Sequence, residues 1–250
     1  MFESLRILYH QGKQYIPDPT TVEVPGIFRG RPVISTTPVD EDALANICPL
    51  GAIGKSPVSI DLGRCTFCGE CAFAYPEKIR FTKDYKIFAN RREDLVIKEG
   101  VDKPMQLNPG TIRKEIHRLF KGSLKLRQVS AAGDNSCEWE LNAAGNVQFD
   151  MGRYGVEFVA SPRHADGILI TGPISENMAE PLQICYDATP DPKVIILGGT
   201  DAISGGIFAD SPALNRSFLT KYPIDLYLAG NPIHPLTIIN GILNLVGRAK

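Results

Sequence analysis

Asp191-Pro-Lys-Val-Ile-Ile-Leu-Gly-Gly-Thr-Asp-Ala-Ile-Ser-Gly-Gly206 decides the reading of the fold. Residues 193–197 read as a strand whose apolar run, 194–197, is ended by Gly198-Gly199, the pattern of a buried parallel strand emptying into a glycine-rich loop. In open α/β sheets, ligands sit in the crevice beyond the carboxyl ends of the strands. Thr200 and Asp201 therefore fall at a candidate site. As a phosphate cradle the loop is weak, because no Lys-Ser/Thr pair ends it.

The same grammar extends on both sides of this stretch. Residues 124–129, 156–160, 167–171 and 224–229 read as strands. Residues 176–186 and 234–246 read as helices, the last with Pro232 and Pro235 at its start. Five strands with interleaved helices predict an α/β domain over 124–250, a flavodoxin-like parallel five-stranded sheet with helices on both faces. Three loops should meet at its carboxyl edge: 131–140, 198–206 and 230–234.

The first half is organised by cysteines. Cys65-Thr-Phe-Cys-Gly-Glu-Cys71 has the spacing C-x2-C-x2-C, and Cys48-Pro lies upstream. This is half of the ferredoxin pattern, in which such a run shares its cluster with the cysteine-proline of the other repeat. Cys48, Cys65, Cys68 and Cys71 are therefore assigned as ligands of one 4Fe–4S cluster. Zinc, which also accepts four thiolates, is the alternative. The ligands of a second ferredoxin cluster would fall on Pro38, Glu41, Leu44 and Tyr75, so that cluster is expected to be absent.

These signals divide the chain into an extended N-terminal arm (1–35), an α+β ferredoxin-like domain (36–100), a linker with a basic helix (101–123) and the α/β domain (124–250). The helix is read over 111–120, with Thr111 as its cap and Arg113, Lys114, His117 and Arg118 as a solvated face or a contact for an acidic partner. Cys185, in an apolar helical stretch, reads as a core residue.

Composition narrows the function classes. A formal net charge of −1 over 250 residues argues against a general nucleic-acid binder. No apolar run approaches the ~18 residues of a membrane span, and the best candidate, 235–246, contains Asn240 and Asn244. The N-terminus lacks a signal-peptide layout. A cytoplasmic protein is expected, with thiolates rather than disulfides.

Specific words then connect the chain to a known family. Arg127-Gln-Val129, Cys137-Glu138, Ser161-Pro-Arg-His-Ala-Asp166, Thr171-Gly-Pro173, Ser204-Gly-Gly-Ile-Phe208 and Ile224-Asp-Leu-Tyr-Leu-Ala-Gly230-Asn-Pro232 stand in residues 124–248. This region resembles the small subunit of energy-converting, membrane-bound NiFe-hydrogenases of the formate hydrogenlyase type, and the 20 kDa-type subunit of complex I. Residues 25–97 resemble the ferredoxin-like subunit of the same complexes, through Phe28-Arg-Gly-Arg-Pro32, the cysteines, Asp84-Tyr and Arg92-Glu-Asp-Leu95.

The resemblance implies an iron–sulfur electron-transfer subunit of a membrane-bound oxidoreductase complex. It would be peripheral to the cytoplasmic membrane, without a span or a complete active site of its own. Its expected partners are a hydrogenase-like or complex I-like large subunit, membrane-arm subunits and other redox subunits. The other reading is a non-redox scaffold that couples the peripheral arm to an ion-translocating membrane module.

In the family, four cysteines hold a proximal 4Fe–4S cluster. Here those positions fall on Asp134, Cys137, Asp201 and Asn231. Oxygen donors replace thiolates poorly, so a proximal cluster is expected to be absent. The site is then an empty polar pocket, a site for a different metal, or an unusual cluster with oxygen or partner ligands. The resemblance further places Arg163 and His164 near the large-subunit interface, and gives Glu138 and Glu140 a proton path. The bland readings are turn hydrogen bonds for the first pair and helix-dipole acids for the second.

Overall fold

The glycine-ended apolar runs do form the centre of the structure. A computed structural model describes residues 2–12 and 14–248. The first half contains α1 (Phe2–Gln11), β1 (Pro32–Ile34), α2 (Glu41–Ile47), β2 (Ile53–Gly54), β3 (Ser59–Asp61), α3 (Glu70–Ala74), β4 (Ile79–Phe81), β5 (Phe88–Ala89), β6 (Val96–Lys98) and α4 (Lys114–Leu119). The second contains β7 (Leu124–Ser130), α5 (Ser136–Ala144), β8 (Val156–Phe158), β9 (Gly167–Thr171), α6 (Glu176–Ala188), β10 (Val194–Gly198), α7 (Thr200–Ser204), α8 (Ser217–Lys221), β11 (Leu226–Leu228) and α9 (Pro235–Leu245).

The main sheet has six strands in the order β5-β11-β10-β9-β7-β8. Strands β7 to β11 are mutually parallel, and β5 joins the β11 edge antiparallel. Numbered along the chain, the five parallel strands follow the order 2-1-3-4-5 of flavodoxin-like doubly wound sheets. The expectation of five strands is corrected to six. The extra strand, Phe88–Ala89, has two residues and carries no periodicity, and it comes from the segment assigned to the first half.

Every residue of β9 and β10 is buried, because the sheet is covered on both faces. Leu169, Val194 and Ile196 point into one core with Leu141 of α5 and Ile238 and Ile242 of α9. Ile168, Ile170, Ile195 and Leu197 point into the other, shared with Leu182 of α6, Phe218 of α8 and Leu44, Leu62 and Leu95 of the first half. Fully burying each such side chain contributes about 1.5–3 kcal/mol. One core thus spans both halves of the chain.

Two small antiparallel sheets complete the first half, β1-β4 and β2-β3-β6. The N-terminal arm is not extended throughout, since α1 occupies its start with every residue exposed. Beyond α1 the arm does lie over the α/β domain. Ile16 N–H donates to the Gln148 carbonyl at 2.8 Å, and Asn240 Nδ2 donates to the Pro19 carbonyl at 2.8 Å.

The segment read as linker and basic helix is also revised. Arg113, not Thr111, stands at the helix N-cap position, and Ile116 and Phe120 are buried. Arg113 donates to both carboxylate oxygens of Asp225 at 2.8 Å, so one of the four basic residues is spent on docking. Among the described residues, no helix is long and apolar enough to cross a membrane.

Candidate functional site

Local backbone chemistry aims the four cysteines at one cavity. Asp40 caps α2 by accepting from the N–H groups of Asp42 and Ala43 at 3.1 and 3.0 Å. The helix ends at Cys48, before a proline that disfavours further helix. Cys48 Sγ then accepts the Ala52 N–H at 3.3 Å. After the β2–β3 hairpin, Cys65 N–H is held by the Asp61 carbonyl at 2.9 Å, and Cys65 Sγ accepts the Phe67 N–H at 3.3 Å. Phe67 and Gly69 take left-handed φ values of 55° and 87°, and between them they curl the chain round Cys68.

All four cysteines line a cavity with Ile47, Ala52, Ile53, Ile60 and Phe81. Cys65 and Cys71 are buried, Cys48 is half-buried and Cys68 is exposed. Burial, reinforced by the neighbouring cysteines, pushes the Cys65 thiol up to about 12 and the Cys71 thiol up to about 11. As bare thiols these two are neutral at physiological pH, and only a strong local positive charge would deprotonate them. Among the described residues, no three His, Cys, Asp or Glu side chains are grouped so as to hold a single metal ion.

The sheet-edge site lies against this one. Cys137, in the first turn of α5, is buried, and its Sγ abuts the Cα of Gly199: a Cβ there would lie 2.6 Å from the sulfur. Burial pushes the Cys137 thiol up to about 12, with Glu138, Asp201 and Asp134 adding to the rise. Asp134 Oδ1 accepts from the Ser136 hydroxyl at 2.6 Å and its N–H at 2.9 Å, which holds this carboxyl below its usual range. Asp201 is shifted the other way, by burial first and then by Asp134. Its Oδ1 is folded against the Cα of Gly206, where a Cβ would come within 1.8 Å.

The structure therefore brings Asp134, Cys137 and Asp201 within electrostatic reach of one another. Asn231 lines a cavity of about 290 Å³, with Arg29, Thr66, Cys68 and His234. Glu138 is buried, and its Oε1 accepts from Ser130 Oγ at 2.7 Å and Thr171 Oγ1 at 2.5 Å. Its Oε2 is buried without a partner among the described residues. Glu140 is half-buried, which raises its carboxyl.

Arg163 and His164 are not part of this cluster of groups. They are exposed on a turn, Pro162–His164, that precedes β9. Glu138 meets Thr171 at the far end of that strand, four steps or about 13 Å away at ~3.3 Å per residue. The hydrogen bonds expected of their side chains are not formed among the described residues.

The contacts that join the two sites are not legible in the sequence, although Thr200 already falls at a candidate site in it. Thr200 Oγ1 donates to the Cys65 carbonyl at 2.9 Å. Arg92 makes a two-pronged pair with Asp61 at 2.8 and 2.7 Å, and its guanidinium and Ile203 both pack on Gly63. Arg29 donates to the Phe67 carbonyl at 2.5 Å. Thr200 and Arg92 both lie within stretches of sequence quoted above.

Known proteins similar to this chain identify its family. The family model for the 20 kDa subunit of NADH ubiquinone oxidoreductase matches residues 135–245. A probable membrane-bound hydrogenase subunit of Pyrococcus furiosus is 36% identical over 115 residues, 46% of this chain and 69% of that protein. An NADH-quinone oxidoreductase subunit of Clostridium beijerinckii is 42% identical over 110 residues, 44% of this chain and 65% of that protein. Formate hydrogenlyase subunit 7 of Escherichia coli is 32% identical over 150 residues, 59% of each. A chain of an archaeal respiratory membrane complex, the membrane-bound sulfane sulfur reductase, is 30% identical with a TM-score of 0.46, over 53% of this chain and 73% of that one. The chain belongs to the family of the 20 kDa subunit of NADH ubiquinone oxidoreductase.

Proposed function

We propose that this chain is an iron–sulfur electron-transfer subunit of a membrane-bound, complex I-like or hydrogenase-like complex. The observation that carries the reading is the ring of Cys48, Cys65, Cys68 and Cys71 around one cavity, two of them receiving backbone N–H bonds. These residues would hold one 4Fe–4S cluster in a ferredoxin-like unit over 36–100. The cluster supplies one-electron redox chemistry when bound. The chain's own residues fix the thiolates, shield two of them from water and seat the unit on the α/β domain.

The α/β domain would dock on a hydrogenase-like or complex I-like large subunit, with membrane-arm and other redox subunits nearby. Its setting would then be cytoplasmic and peripheral to the membrane. The names of its relatives, subunits of membrane-bound hydrogenase and NADH-quinone oxidoreductase, support this setting. Iron and acid-labile sulfide analysis with EPR tests the cluster. About four iron and four sulfide per chain are expected for one 4Fe–4S cluster. A reducible signal lost in Cys65→Ser and Cys68→Ser supports the reading, and a metal-free or zinc-only protein overturns it.

One observation favours a second reading. At the degenerate site, Asp134 is engaged by Ser136 and Asp201 is folded onto Gly206, which leaves Cys137 as the lone thiol. Such a pocket does not suit a second cluster, and it fits a non-redox coupling subunit. A cysteine variant that loses iron yet assembles a working complex would support that alternative.

A further inference from the structure

The two halves of the chain meet around a cavity of about 290 Å³, between the N-terminal arm, the cysteine turn and the loop after β11. Arg29, Thr66, Asn231 and His234 supply its charged and polar side chains. Among its described lining residues there is no aspartate, glutamate or lysine. Phe28, Phe67 and Ile87 give it an apolar wall. A mostly apolar hollow with a few convergent polar groups is the usual form of a small-molecule site.

Those polar groups keep unused hydrogen-bonding capacity. Arg29 donates from Nε to the Phe67 carbonyl, which leaves both terminal nitrogens of its guanidinium without a partner among the described residues. The side chains of Thr66 and Asn231 make no hydrogen bond among the described residues. His234 accepts the Leu236 N–H on Nδ1 at 3.1 Å, so the proton of the neutral ring sits on Nε2 and makes it a donor. His234 is also the N-cap of α9, an eleven-residue helix whose N-terminal dipole favours negative charge beside it.

The walls are fixed before any ligand arrives. Thr200 joins the cysteine turn to the loop after β11, donating from Oγ1 to the Cys65 carbonyl at 2.9 Å and from its N–H to the Gly230 carbonyl at 3.0 Å. The ring of Phe28 meets that of His234 edge-on, with centroids 5.0 Å apart, and so joins the arm to the start of α9. A cavity held in this way loses little side-chain freedom on binding.

We infer that this joint cavity binds a small organic monoanion, a carboxylate on a short apolar or aromatic body. One guanidinium, unopposed by any carboxylate on the cavity wall, selects negative charge, and its two free nitrogens match the two oxygens of a carboxylate. A dianion such as phosphate would keep an uncompensated charge beside the apolar wall. A neutral molecule of the same shape forgoes the charge-assisted hydrogen bonds, which are about twice as strong as neutral ones. The apolar body would rest on Phe28, Phe67 and Ile87. The site is built from protein atoms alone, so it does not rest on the cluster reading.

The test titrates the full chain with benzoate by isothermal calorimetry, in iron-free and iron-loaded form. A Kd of about 1 mM or tighter is expected for the iron-free chain. The iron-loaded chain should bind severalfold less tightly, because a cluster held by four thiolates is itself anionic. Benzamide, uncharged but of the same shape, and inorganic phosphate should each bind at least about tenfold more weakly than benzoate. Arg29→Gln removes the cation, and Asn231→Asp adds an opposing charge without changing shape. Each should weaken benzoate binding by about tenfold or more. Arg29 also holds the Phe67 carbonyl, so Asn231→Asp carries the test if Arg29→Gln disturbs folding, and urea denaturation reports on both. An absence of benzoate binding, benzamide or phosphate binding as tightly as benzoate, or benzoate binding untouched by Asn231→Asp would each overturn the inference. Iron content, measured in every sample, keeps these outcomes distinct from a failure of the cluster reading.

Discussion

Thr200 Oγ1 donates a 2.9 Å hydrogen bond to the carbonyl of Cys65, across 135 positions of sequence. The first turn of α7 is thereby seated on the cysteine turn. The same residue's N–H donates to the Gly230 carbonyl at 3.0 Å, so three loops are tied together at one residue. The glycine-rich loop that ends β10 thus serves as the joint between the cysteine unit and the sheet.

Thr200→Val keeps the shape of the side chain and removes the donor. It leaves the Cys65 carbonyl unpaired in a buried place, at a cost of about 1–3 kcal/mol. Thr200→Ser should recover most of that. Urea denaturation of both variants checks the size, and EPR line shape would show whether the cluster environment follows.

Gly199→Ala should be more damaging. Its φ is 92°, and a Cβ would lie 2.6 Å from Cys137 Sγ. Backbone strain and overpacking each cost about 1–3 kcal/mol. Adding Cys137→Ala relieves the clash and leaves the strain, so the pair should be measurably less destabilised than the sum of the single changes. Thermal denaturation of the four members of the cycle decides this.

His234 links stability to pH. Burial lowers its pKa from the ordinary 6.5 to about 4, and its neutral Nδ1 accepts the Leu236 N–H at 3.1 Å to cap α9. Between those pH values the unfolded chain takes up a proton that the folded chain refuses. This contribution is therefore complete above pH 6.5 and is lost as the pH falls toward 4, by on the order of 2 kcal/mol. His234→Asn keeps a capping acceptor and should flatten that part of the stability curve.

In metal-free protein the cysteines should label in order of access. Cys68 is exposed, whereas burial raises the Cys65, Cys71 and Cys137 thiols and shields them. Iodoacetamide at about pH 8 should modify Cys68 first, and the other three should lag by at least about tenfold, since the thiolate is the reacting form. Timed mass spectrometry resolves each site. Comparable rates at Cys65 and Cys68 would contradict this arrangement.

How legible was this in the sequence? Strands β9 and β10 could be read because doubly covered strands are continuous apolar runs bounded by glycine. The cysteine set could be read because cluster ligation imposes fixed spacing. The two-residue strand β5 has no such pattern to betray it, and helix α1, whose apolar residues do recur at helical spacing, buries none of them. The dual reading of Arg113 had the same cause: only Asp225, 112 positions later, tells a docking residue from a solvated charge. The division of roles at the sheet edge, where Asp134 holds Ser136 at the start of α5 while Asp201 packs on Gly206, likewise depends on neighbours brought in by folding.

The pairing of Phe88–Ala89 with Leu228 and Tyr227 bears on how the chain can be cut. The Ala229 N–H also donates to the Ile87 carbonyl at 3.0 Å, extending the same ladder. A fragment starting at residue 101 would uncover this side of β11 and present its unpaired N–H and C=O groups to solvent. Such an open edge is a template for adding strands from other molecules. The junction between the two halves is thus a poor place for truncation: the second half expressed alone should self-associate, and the first half protects it by serving as its border strand.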